Sequence, residues 1–375
     1  MNNKKQKQFF TVAQVLPALK SGGVERGTIQ IANALVKKGH RSIVISNGGP
    51  LTAEIIKGGS EHIKLNVGKK NLSVFILIYH LAKIFREYKI DIIHARSRLP
   101  AWICKCALAL LPESKKPFWI TTVHGPYTPN RYSKIMTSGD KVIAISEFIK
   151  NYILSNYKDI DQKKIVLIPR GADKTRYFIN FQPSRSWVDN WKLEIGNKVS
   201  LPLLTMPARL TRWKGQIEFI KMITLLKKRN INFHGLIVGG HDKDRQAYLE
   251  ELKSKIIENN IESHITLLGD RKDLREILSV SALAFSLTTV PEAFGRTTIE
   301  SLMLGTPVIG YDHGGTREIL KSCFPEGSVE VGNVGQAALL AEKFLISRPA
   351  IKPTKLYTTQ NMESKTIKLY ENLFD

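Results

Sequence analysis

The chain has 375 residues, too many for one ordinary hydrophobic core and enough for two α/β domains. It is 43% hydrophobic and 24% charged, a globular composition that excludes a fibre or a largely disordered chain. The formal net charge of +23 is unevenly placed: residues 1–182 hold 30 Lys and Arg against 11 Asp and Glu, and residues 183–375 hold 26 against 22. Part of that excess is solvated surface, but its asymmetry suggests that the first half meets something anionic: nucleic acid, acidic lipid or a phosphorylated glycolipid.

Lys4, Lys5 and Lys7 precede a semi-apolar stretch that could pass for a targeting segment. Gln14 and Pro17 interrupt it and a glycine-rich loop follows, so a first strand over 9–16 is expected instead. Gly22 and Gly23 come next, then a helix over 24–38 that Gly39 stops. The apolar run 72–82 is too short to span a bilayer. Short apolar runs at 40–46, 90–95, 117–125, 141–146 and 164–171 read as further strands, with helical stretches between most of them. This is the βαβ rhythm of a doubly wound sheet.

The polar segment 180–198, with two tryptophans and no clean period, reads as an interdomain linker holding a short helix. The rhythm then restarts: a strand at 201–208, a helix over 215–229, a strand at 233–240, a helix over 245–259, and strands at 264–269, 282–287 and 306–311. A helix is expected from Thr297 onward, and the tail 358–374 has an amphipathic pattern. Cys104, Cys106 and Cys323 form no CxxC pair and have no metal-ligand spacing, so they are read as reduced thiols and small apolar fillers.

Four places carry candidate chemistry. Gly22 and Gly23 after the first strand either make a structural turn or let backbone N–H groups approach an anion; the full dinucleotide fingerprint is absent. Arg209 and Lys214 stand between a strand and a helix, where open α/β sheets bind ligands and two cations suit a diphosphate; isolated surface cations are the plainer reading. In PEAFGRTTIE, Glu292 and Glu300 flank Phe294, Gly295 and Arg296, whose N–H groups open a helix. A carboxylate there can hold two sugar hydroxyls or merely favour the helix dipole. His124 ends an apolar strand, placed to donate to a sugar or phosphate, to transfer a proton, or simply to sit hydrogen-bonded.

Taken together, PARLTRWKGQIEFI, HGLIVGG, HITLLGDRKDLREIL and PEAFGRTTIESLMLGTPVIGYDHGGTREIL resemble the retaining glycosyltransferases of family 4 in order and spacing. The first half is similar more loosely, through SGGVERGTIQIANALVKKGH, TTVHG, KVIAISEFIK and IPRGADKTRYF. The resemblance implies an α/β chain of GT-B fold: two Rossmann-like doubly wound domains facing a central cleft, with a C-terminal helix crossing back to the first. The expected domains are 1–182, joined by 355–375, on the acceptor side and 183–354 on the nucleotide-sugar side. By the same resemblance, Arg209 and Lys214 neutralise the donor diphosphate, Glu300 holds the ribose and Glu292 contacts the transferred sugar. The amides from Phe294 to Arg296 hold phosphate or sugar oxygens, Gly22 and Gly23 bring a loop to the phosphates, and His124 contacts the sugar. The segment ending in Arg271 lines the base.

Family members retain anomeric configuration and use neither a metal nor another cofactor, which the lack of a DxD-type motif accompanies. A UDP-sugar is the expected donor. An anionic glycolipid such as lipopolysaccharide core is the expected acceptor, met by a cytoplasmic enzyme peripheral to the inner membrane. Two positions depart from the family pattern: Arg170 stands where Asn is usual, and Arg296 where an apolar residue is frequent. The other readings are a GT-B epimerase or phosphorylase, and a basic nucleic-acid-binding protein. The last lacks any helix-turn-helix, zinc-finger or aromatic-interleaved basic strand, so no nucleic-acid partner is expected.

Overall fold

A computed structural model describes residues 9–20, 22–68, 74–240 and 246–375. The chain divides into two compact units, one made of 1–170 with 359–375, the other of 171–358.

The first unit alternates strands and helices: β1 (Thr11–Val15), α1 (Gly23–Lys37), β2 (Arg41–Ser46), α2 (Thr52–Lys57), β3 (Glu61–Lys64), α3 (Val74–Glu87), β4 (Ile92–Ala95), α4 (Arg98–Ala109), β5 (Phe118–Val123), β6 (Lys141–Ala144), α5 (Glu147–Asn156) and β7 (Ile165–Leu167). Its strands are parallel and ordered β3-β2-β1-β4-β5-β6-β7, so the direction of winding reverses between β1 and β4. The central strands are buried along nearly their whole length because helices cover both faces of a parallel sheet. The helix expected at 24–38 is α1, ended by Gly39 at φ +80.

The second unit runs through α6 (Arg185–Ile195), β8 (Leu203–Pro207), α7 (Gln216–Lys228), β9 (His234–Val238), α8 (Gln246–Glu258), β10 (Ile265–Gly269), α9 (Leu274–Ser279), β11 (Leu283–Ser286), α10 (Arg296–Met303), β12 (Val308–Tyr311), α11 (Gly314–Cys323), β13 (Ser328–Val329) and α12 (Val334–Ile346). Its strands are ordered β10-β9-β8-β11-β12-β13, again parallel, with the reversal between β8 and β11. The final helix, α13 (Thr359–Glu371), belongs to the first unit. There Met362, Ile367, Leu369 and Tyr370 share a core with Val12, Ile31 and Leu35.

Two details differ from the sequence reading. The stretch 180–198 is no linker: α6 buries Trp191 and Ile195 against Leu203, Leu236, Val238 and Ile277. Trp187, Trp191 and Ile195 recur every four residues, which puts them on one helical face. The units also part at Arg170–Gly171, not at 182. Residues after Gly171 hold to the second unit, where the Ala172 N–H donates to the Tyr357 carbonyl at 3.0 Å and Ile179 packs beside Gly305.

Candidate active site

In doubly wound sheets, ligands bind beyond the carboxyl ends of the strands where the winding reverses. In the second unit this point lies between the loops that follow β8 and β11. Trp213 and Thr289 stitch these loops together, the Thr289 N–H donating to the Trp213 carbonyl at 2.9 Å. Gly215, at φ +86, opens α7 so close to β11 that a Cβ there would lie 1.8 Å from the Leu287 carbonyl oxygen. Only glycine meets both demands.

That stitching brings Lys214 Nζ onto Glu292 Oε1 in an ion pair. Lys214 also lies over the Trp213 ring, 4.4 Å from its centroid. Arg209 follows β8 and is exposed. The Glu292 carbonyl accepts from the Gly315 N–H at 2.7 Å. A Cβ on Gly315 would come within 2.3 Å of Phe294, so the glycine pair opening α11 forms the bed on which this loop rests. Phe294 is buried against Tyr357, and Gly295, at φ +85, begins α10 with no side chain capping its N–H groups. An uncapped helix start of this kind favours an anion.

Glu300 lies one turn into α10 and is only 6% exposed. Arg296 Nε is 3.1 Å from its carboxylate, and Arg176 and Tyr177 also face it. Burial raises its pKa above the usual carboxylate range, against the pull of Arg296, Arg176 and Tyr177. In turn, burial together with the nearby Glu300 pushes the Tyr177 hydroxyl up to about 12. Tyr177 and Arg176 were not singled out from sequence, since they lie over 100 residues before the carboxylate they approach.

Arg271 is placed differently. It follows β10 at the sheet edge, donates to Asp273 at 2.8 Å and to Glu194 at 2.5 Å, and lies over Trp191. Its guanidinium is committed to these partners.

The first unit carries its candidates at the ends of β1 and β5. Gly22 precedes α1 at φ +151, again with no side-chain cap, and a Cβ on Gly23 would meet open space. His124 follows β5. Its Nδ1 lies 3.0 Å from Arg170 Nη2, its backbone N–H points to the Tyr127 hydroxyl at 3.4 Å, and its buried Nε2 has no hydrogen-bond partner. Burial holds its pKa well below the usual histidine value, assisted by the charges of Arg170 and Arg96. Behind it, a buried polar layer runs from Thr122 through His94 to Tyr370, with both His94 bonds at 2.6 Å. Arg96 is buried beside this layer and donates from Nε to Gln14 Oε1 at 3.1 Å. Gln14 in turn donates to the Thr28 carbonyl of α1.

Among the described residues, no three His, Cys, Asp or Glu side chains group in a way that could hold a metal ion. No described helix is long and apolar enough to cross a membrane.

Two parallel-sheet, Rossmann-like units in one chain are the architecture of the GT-B glycosyltransferases, and the similarities below place the chain in that class. Residues 21–176 match the family model described as Glycosyltransferase Family 4, and residues 189–360 match Glycosyl transferases group 1. The crystal structure of a glycosyltransferase from Rickettsia africae ESF-5 superposes with a TM-score of 0.82 at 30% identity, covering 98% of this chain and 99% of that one. Anabaena HepE, crystallised in complex with UDP-glucose, has a TM-score of 0.78 at 17% identity over 96% of this chain and 99% of its own, a likeness of fold alone. Among curated relatives, the mannosylfructose-phosphate synthase of Agrobacterium fabrum is 30% identical over 187 residues, 48% of this chain. The uncharacterized glycosyltransferase MJ1178 of Methanocaldococcus jannaschii is 27% identical over 264 residues, 67% of this chain. The chain spans 39% and 64% of these two relatives, less than two thirds of each.

Proposed function

We propose that the chain moves a hexose-type sugar, with retention, from a nucleotide-diphosphate donor to a hydroxyl of an anionic, membrane-borne glycolipid such as lipopolysaccharide core. The Lys214–Glu292 pair, set at the β8/β11 reversal beside the uncapped start of α10, carries this reading. Lys214 and Arg209 take the diphosphate and the charge that grows on it as the glycosidic bond breaks. Glu292 accepts hydroxyls of the transferred sugar, and Glu300 accepts those of the ribose. The amides from Phe294 to Arg296 hold phosphate or sugar oxygens. Gly22 and Gly23 serve the phosphates from the first domain, and His124 serves the sugar.

In the reaction, the bond from the sugar's anomeric carbon to the phosphate oxygen breaks and a bond to the acceptor oxygen forms on the same face. The acceptor proton passes to a phosphate oxygen of the departing nucleoside diphosphate. The step uses no metal or other cofactor. UDP is the base carrier of choice, because HepE was crystallised with UDP-glucose.

The acceptor reading rests on the first unit, whose 30 Lys and Arg face 13 Asp and Glu. On α3 of the same unit Phe75, Ile76 and Tyr79 are exposed, which suits a shallow seat at an anionic, cytoplasm-facing lipid surface. A thermal-shift panel of UDP-, GDP- and ADP-glucose tests the donor, since a ligand bound only to the folded form raises the melting temperature. A rise with UDP-glucose alone is expected. No shift with any nucleotide sugar removes the reading.

A further inference from the structure

Arg170, where the family pattern has Asn, reaches His124 through a slot in α1. A Cβ on Gly27 would lie 1.5 Å from Arg170 Nη1, so the guanidinium fills the space that a side chain at 27 would take. Nη2 then stands 3.0 Å from His124 Nδ1, and Nη1 stands 3.8 Å from Met362 Sδ of α13. A guanidinium has five N–H donors and no acceptor, so Nδ1 must be the acceptor in this bond. In a neutral imidazole the proton then resides on Nε2. That atom is buried and has no protein partner.

The groups facing the ring are consistent with neutrality. Arg170 reaches it from the loop after β7 and Arg96 from the end of β4; both are cations that disfavour an imidazolium. His94 of β4 bonds Tyr370 and Thr122, and the Tyr127 hydroxyl meets the backbone of His124 rather than its ring. Among the described residues, the charged groups with the largest effect on His124 are Arg170 and Arg96, with the His94 ring beside them.

We infer that Arg170, seated over Gly27, locks His124 as the Nε2–H tautomer, so that His124 is a fixed hydrogen-bond donor to a sugar hydroxyl oxygen and takes no proton during transfer. Arg170 is thus a positioning residue. The inference rests on the proposed assignment of His124 to the sugar, but the lock itself is measurable without any substrate.

The test is long-range ¹H–¹⁵N correlation spectroscopy on the ¹⁵N-histidine-labelled full chain, with H124Q identifying the signal. Wild type is expected to show a neutral Nε2–H ring that does not titrate between about pH 5.5 and 8. R170K, which still only donates, should retain it. R170M and G27A should each give mixed tautomers and a ring that titrates nearer the ordinary value of 6.5. An Nδ1–H ring or an imidazolium in wild type at neutral pH overturns the lock. So does an unchanged signal in R170M or G27A with a native circular dichroism spectrum. Hydrolysis of UDP-glucose, with water taking the glucosyl group as UDP leaves, supplies the second readout, because glutamine places an N–H near the Nε2 position and asparagine near Nδ1. H124Q should stay within about 10-fold of wild type, and H124N should fall by about 100-fold. If the tautomer is as inferred and neither substitution changes release, the lock stands and the assignment of His124 to the sugar falls.

Discussion

Lys214 and Glu292, 78 residues apart in sequence, meet as an ion pair with side chains only 18% and 13% exposed. Each comes from a loop leaving a strand beside the reversal of the sheet. Neither loop alone would hold its charge in place.

K214A and E292A should each lower turnover by about 100- to 1000-fold, the range for removing one preorganised charge partner of a transition state. The double variant should lose far less than the product of the two, because the residues touch. Single-turnover release of nucleoside diphosphate measures all three. Independent, fully additive losses would separate the pair into unrelated sites.

Glu300 gives a prediction in which stability and binding move in opposite directions. Burial raises its folded pKa above the ordinary carboxylate value of 4.5. The native state therefore binds more protons than the unfolded chain as pH climbs through that window, and stability falls as pH rises. E300Q removes that fall, so at neutral pH its melting temperature should equal or exceed that of wild type. Its affinity for the nucleotide should drop at least tenfold, because the amide leaves only one acceptor oxygen for the ribose hydroxyls proposed to bind Glu300. Melting curves across pH and calorimetric titration with UDP check the two halves separately.

His94 and His124 carry the opposite sign. Burial holds both pKa values well below the ordinary histidine value of 6.5. The unfolded chain takes up these protons near 6.5 while the native state refuses them. Stability is therefore complete above that pH and is lost as pH falls below it. Urea unfolding of the full chain between pH 7.5 and 5 should show a midpoint that declines with acidity. In H94Q the decline should be shallower. A midpoint independent of pH over that range would mean that both rings accept protons in the native state.

The exposed side chains of α3 make the membrane reading concrete. Replacing Phe75 and Tyr79 with serine should reduce binding to phosphatidylglycerol vesicles several-fold without changing the melting temperature, since both side chains already face outward. Wild-type binding should weaken as salt rises, because screening reaches about 10 Å at 0.1 M. Co-sedimentation at low and high salt is the measurement. Equal binding by the double variant would direct attention to another part of the basic surface.

Much of the fold is legible because it is written in local patterns. The apolar strand runs, the helices between them and the glycines that end or open helices all follow from backbone geometry over a few residues. Gly39 and Gly295 sit where the chain takes positive φ, as their neighbours in sequence suggest. The segment at 180–198 was opaque by comparison, because its polar residues mask three apolar positions spaced four apart. A second glycine pair, Gly314–Gly315, follows β12 much as Gly22–Gly23 follows β1, and that parallel was available as a signal for the bed beneath Phe294.

The sequence by itself determined the alternation of strand and helix, the two-domain class and the residues able to carry charge at strand ends. Tertiary structure alone decided who meets whom across the chain: Lys214 with Glu292, Arg271 with Glu194, Arg170 with His124 over Gly27. The reason is physical. Periodicity and φ preference act between near neighbours, whereas the partner of a long charged side chain depends on where distant segments lie after the sheet has been wound.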